Sequence, residues 1–63
     1  MTNLRLVDPL GYTVPGTVHT NVPDANEAAV RALLQDAAVT DAAQWADFGY
    51  HAGDYRIVPD PAA

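Results

Sequence analysis

The chain contains no cysteine, no serine and no lysine in its 63 residues. Without cysteine there is no thiol nucleophile, no Cys-rich zinc site and no disulfide framework. Without serine the usual hydroxymethyl nucleophile is missing, and without lysine neither Schiff-base chemistry nor a phosphate-cradling P-loop can be built. Basic charge is scarce altogether. Three arginines stand against eight acidic residues, for a formal net charge of −5. That balance disfavours a binder of the nucleic-acid backbone, which needs clustered Lys and Arg, and equally a polybasic membrane contact. No apolar run approaches the roughly 20 residues of a transmembrane helix. The start, Met1-Thr2-Asn3-Leu4-Arg5, lacks the basic, apolar and small-residue regions of a signal peptide. A soluble protein made in the cytoplasm is expected.

What is present is mostly small. Apolar residues make up 49% of the chain, but 12 of them are alanine, leaving 19 larger apolar or aromatic side chains. A domain of this size buries only about 60% of the surface its unfolded form exposes. Small domains recover stability through disulfides, a structural metal or a partner surface. The first is excluded and two histidines cannot complete a four-ligand site, so assembly with itself or with a larger host surface is expected.

The pattern predicts a small α+β domain over 1–63. Leu4-Arg5-Leu6-Val7 reads as a strand ending at Asp8-Pro9, and Asp8-Pro9-Leu10-Gly11 as a tight turn. Tyr12-Thr13-Val14 would pair back on the first strand as an N-terminal β-hairpin. Thr17–Val22 is open between strand and extended loop. Asp24, with Glu27 three residues on, reads as a capping box opening a helix over about 24–38. Val30, Leu33, Leu34 and Ala37 form its apolar face. A second cap at Thr40 or Asp41 predicts a short aromatic helix over about 41–48 that stops at Gly49, with a single kinked helix as the open alternative. Tyr50–Gly53 reads as a turn, and Tyr55–Val58 as a closing strand ended by Pro59. Residues 59–63 are expected to form a tail, flexible or laid on a partner.

The constellations that could carry chemistry are thin. His19 and His51 lie 32 positions apart, with Asp54 beside the second, and show no metal-ligand spacing. The acids fall mostly at caps and turns, and so short a chain struggles to enclose a pocket of several hundred Å³. No catalysis, cofactor, metal or small-molecule substrate is expected. The aromatic residues stand out instead. Trp45, Phe48, Tyr50 and Tyr55 occupy eleven residues, while Tyr12 stands alone in the hairpin. They either complete the core against Leu33, Leu34 and Ile57, the better fit for Phe48, or form a recognition patch of the kind rich in Trp, Tyr and Arg. Tyr12, Trp45, Tyr50, Tyr55 and Arg56, with the exposed edges of the hairpin, are the candidate protein interface. The exclusive use of arginine among basic residues fits interfaces. It equally fits high-GC coding, which would also explain the many alanines.

The order Leu4-Arg5-Leu6-Val7-Asp8-Pro9, a glycine turn at Gly11, a short return strand, and Val22-Pro23-Asp24 opening an Ala- and Leu-rich helix through Leu33-Leu34 resembles small head-associated proteins of tailed bacteriophages of high-GC hosts. The likeness covers residues 4–38. The insertion Pro15–Asn21 and the aromatic segment Asp41–Phe48 depart from it. The resemblance implies a virion protein, a capsid decoration or minor capsid subunit clamped in many copies to the major capsid protein. The alternative from another class is a small acidic inhibitor or regulatory module that binds one host protein.

Overall fold

The computed structural model describes residues 1–61. They form a three-stranded antiparallel sheet with one long helix across one face, an α+β domain. Strand β1 (Thr2–Val7) is central, flanked by β2 (His19–Val22) on one side and β3 (Arg56–Pro61) on the other. Helix α1 (Asp24–Gln44) links the two outer strands, which run parallel to each other because both oppose β1. Two single 3₁₀ turns, Ala46–Phe48 and Ala52–Asp54, fill the return from α1 to β3.

Alternation decides which face of the sheet is covered. Leu4 and Leu6 point toward α1 and are essentially without exposure, 0% and 1%. Val14, Val22 and Tyr55 join them, and α1 contributes Leu34, Ala38 and Ala42 at successive fourth positions. Val30 and Ala37 flank that seam half-buried, but Leu33 lies 58% exposed. The expected face is therefore rotated by about one residue. Alanines at 38 and 42 let the helix settle close to the sheet along the row that starts at Leu34.

Several boundaries differ from the sequence reading, each for a local reason. Residues 24–44 form one helix, not helices over 24–38 and 41–48. The β-branched pair Val39-Thr40 lowers helix propensity by only tenths of a kcal/mol per residue, too little to break a helix already docked through Leu34, Ala38 and Ala42. Nor does the capping box form. Pro23 occupies the N-cap with no side-chain cap bond, its carbonyl accepting from the Asn26 amide at 2.9 Å. Asp24 is thus already the first helical residue. Glu27 turns instead to Arg31, one helical turn on, at 3.0 Å. Both acids still lie in the first turn, where the helix dipole favours them.

The expected hairpin is reduced to one bridge. Thr13 pairs with Val7, and the Val14 amide donates to the Leu6 carbonyl at 2.9 Å. Pro15 then offers no donor, and the chain swings out and returns as β2, which takes the edge of β1 through Thr2–Val22 and Leu4–His19. A bulge interrupts this pairing, and Asn21 sits there at φ 53°, a left-handed conformation that Asn tolerates better than most residues. Buried Thr17 repairs the ladder inside the loop. Its hydroxyl donates to the Val14 carbonyl at 2.6 Å and accepts from the Leu6 amide at 3.2 Å.

Pro59 does not end the last strand. β3 runs from Arg56 to Pro61, with Pro59 opposite Leu4 and Pro61 opposite Thr2. A proline can stand in a ladder only where its missing N–H faces away from the neighbour, as an edge strand allows. The expected tail at 59–63 is thus strand as far as Pro61, while Ala62 and Ala63 lie outside the described residues. On the face away from α1, Arg5 ties this strand to the loop after β1, pairing with Asp60 at 3.2 Å and donating to Thr13 Oγ1 at 2.7 Å.

Candidate functional site

Two segments distant in sequence converge at one end of the domain. The first is the loop after β1. Asp8 Oδ1 accepts from the amides of Leu10 and Tyr12 at 3.0 and 2.9 Å, and the Asp8 amide donates to the Tyr12 carbonyl at 2.8 Å. Gly11 supplies the positive φ, 93°, that the turn requires. The loop is closed on itself from Asp8 to Tyr12 and held from outside by the Arg5–Thr13 bond. Its tip presents Tyr12, 69% exposed.

The second segment is the end of α1. The Trp45 amide is shared between the carbonyls of Asp41 and Ala42, both at 3.2 Å, and the helix then tightens into the Ala46–Phe48 turn. Gly49 at φ 82° reverses the chain and returns Tyr50 beneath Trp45. The rings stand in a chain: Trp45 to Phe48 at 5.6 Å, Trp45 to Tyr50 at 6.2 Å, and Tyr50 to Tyr55 at 6.4 Å between centroids. These spacings suit tilted and edge-on aromatic contact. The core encloses Tyr55, and Tyr50 packs against it half-buried. Trp45 is 45% exposed and Phe48 72%.

Between the segments lies an open cleft of about 370 Å³. Tyr12, Trp45 and Tyr50 form its walls, Val14 and Pro15 an apolar side, and the carboxyl groups of Asp8 and Asp41 complete the lining. Asp41 Oδ2 accepts the Tyr55 hydroxyl. Burial first, and this carboxylate second, hold the Tyr55 phenol well above its ordinary pKa. A second groove, of about 480 Å³ between α1 and β3, offers no exposed ring.

The proposed interface residues separate accordingly. Tyr12, Trp45 and Tyr50 come together around the cleft. Tyr55, 8% exposed, is a core residue and supports the cleft from below. Arg56 is exposed on β3 opposite Val7 and does not line the cleft. Phe48, expected in the core against Leu33, Leu34 and Ile57, instead extends the exposed aromatic cluster from Trp45. Asp8 and Asp41 were read only as turn and cap residues. The signal that could have found them is a shared spacing, since each precedes a cleft aromatic by four residues, Asp8 before Tyr12 and Asp41 before Trp45.

His19 lies half-buried on β2 and His51 is exposed ahead of the Ala52–Asp54 turn. Among the described residues no three His, Cys, Asp or Glu side chains gather as a metal site. Among the same residues no helix is long and apolar enough to cross a membrane. No protein-family model, curated protein or solved structure matches the chain.

Proposed function

We propose that this chain is a non-enzymatic interaction protein that docks on a larger protein assembly through the aromatic end of the domain. One observation carries the proposal: Trp45 and Phe48 stand side by side and exposed, outside a core already closed by leucine, valine, alanine and Tyr55, with half-buried Tyr50 packed between Trp45 and that core. Adjacent exposed aromatics are costly in water and are the residues on which protein interfaces concentrate their binding free energy. Small size supports the same conclusion. A domain with a slight core gains stability from a surface that binds the folded chain and not the unfolded one.

The assembly we propose is a tailed-phage capsid, with the major capsid protein as partner and the virion as location, on the resemblance carried by residues 4–38. Mass spectrometry of purified particles tests it: stoichiometric, multi-copy amounts are expected, and absence from particles refutes it. Trp45→Ala with Phe48→Ala is expected to lower particle occupancy much more than the melting temperature of the free domain. Equal loss in both would make the aromatics structural. The net charge of −5 favours a second reading, an acidic inhibitor or regulatory module seated on one basic host protein. In that case a single cellular partner is pulled down and particles lack the chain.

A further inference from the structure

We propose that the cleft between the Asp8–Pro15 loop and the end of α1 receives one arginine side chain from the docking partner. This rests on the docking function above and names what the surface recognises.

Three of the lining residues are aromatic, and the charged ones are both acidic. Tyr12, Trp45 and Tyr50 line the cleft, and the quadrupole of an aromatic face attracts a cation. Asp8 and Asp41 add carboxylates in the same cleft. Each has one oxygen in use: Asp8 Oδ1 holds the Leu10 and Tyr12 amides, and Asp41 Oδ2 takes the Tyr55 hydroxyl. Among the described residues nothing donates to Asp8 Oδ2 or Asp41 Oδ1. The cleft is therefore pre-shaped by internal bonds, with acceptor capacity to spare.

Guanidinium fits this combination better than other cations. It is planar, stacks on aromatic rings, is weakly hydrated and projects donors in its plane toward carboxylates on either side. A lysine ammonium is compact and strongly hydrated and gains less from aromatic rings. The volume, about 370 Å³, lies at the low end for ligand pockets and suits a single side chain entering from outside. The protein's own arginines do not compete. Arg5 is engaged by Asp60 and by the hydroxyl of Thr13 at the cleft margin, Arg31 pairs with Glu27, and Arg56 lies outside the lining.

The test titrates the intact, isotopically labelled protein with N-acetyl-arginine methylamide and follows the Trp45 indole N–H by NMR. Saturable binding at roughly millimolar concentration is expected, with the neutral citrulline analogue at least about tenfold weaker. The double variant Asp8→Asn with Asp41→Asn keeps an acceptor oxygen for every bond the two aspartates make, so the fold is retained while the charge is removed. It is expected to lose arginine binding about tenfold with an unchanged melting profile. No saturable shift, equal binding of citrulline, or tighter binding of tetramethylammonium would overturn the inference. Unaltered docking of the double variant on its assembly would also overturn it while leaving the docking function intact. Arginine binding by a chain that never joins a larger assembly supports the cleft's specificity and refutes the docking function instead.

Discussion

The hydroxyl of Tyr55 donates to the carboxylate of Asp41 at 2.5 Å, joining the residue just ahead of β3 to the last turn of α1. This bond fastens both ends of the segment that carries Trp45, Phe48 and Tyr50. Tyr55→Phe leaves a part-buried carboxylate without its donor. The expected loss is about 1–3 kcal/mol of stability, read from the urea midpoint at pH 7.

The same bond fixes a pH dependence. Burial and the Asp41 carboxylate raise the Tyr55 phenol in the folded protein, whereas in the unfolded chain it ionises near pH 10. Above that pH the folded state holds the additional proton. The contribution is therefore complete below about pH 10 and falls as pH rises further. Urea unfolding between pH 7 and 11 is expected to show this decline, flattened in Tyr55→Phe. Parallel curves for the two proteins would contradict the assignment.

Thr17 is buried with both capacities of its hydroxyl in use, toward Leu6 and Val14. Thr17→Val fills the same volume and leaves the buried Leu6 amide without its acceptor, while the Val14 carbonyl keeps the Thr17 amide at 3.3 Å. A loss of about 1–3 kcal/mol is expected. For a domain of this size each kcal/mol corresponds to roughly 4–8 °C in melting temperature. Thr17→Ser retains the hydroxyl and is expected to recover most of the loss.

Adjacent leucines on α1 should behave in opposite ways. Leu34 is 1% exposed and Leu33 58%. Leu34→Ala is expected to cost about 2–5 kcal/mol, enough to unfold much of the protein. Leu33→Ala should stay within about 0.5 kcal/mol of the parent in the same denaturation experiment. Similar losses at both positions would mean that the helix is turned differently on the sheet.

Continuity of α1 through Val39 is testable with proline. Val39 is exposed, so the substitution meets no core neighbour, but it removes one helical hydrogen bond and clashes with the preceding turn. Val39→Pro is expected to cost about 3 kcal/mol or more and to lower the far-ultraviolet helical signal. If the substitution were harmless, a break near residue 40 would be the better description.

The class of fold was readable from the chain because it depends on strong local patterns: the alternation around Leu4 and Leu6, the periodicity around Leu34, and punctuation at Gly11 and Gly49. The boundaries were not, because tertiary contacts decide them. Thr40 and Asp41 look like a helix start until α1 docks through Ala38 and Ala42, and Pro59 looks like a terminator until β3 is an edge strand. The aromatic surface was half legible. A shortage of core volume implied that some rings stay outside, but that Tyr55 is the one enclosed follows from contacts distant in sequence, the Leu4, Leu6 and Leu34 cluster and the Asp41 carboxylate. Asp8 and Asp41 were hidden by having good local explanations already.

The two prolines of β3 bear on how this protein behaves at high concentration. Strand edges are where small β-containing domains stick to one another, because unpaired amides invite a further strand. Pro59 and Pro61 delete two such donors from the outer edge of β3, and the bulge with left-handed Asn21 distorts the edge of β2. Both margins of the sheet are blunted. Strand-to-strand association through these margins is thereby disfavoured, and the concentrated protein is expected to resist growth into fibres.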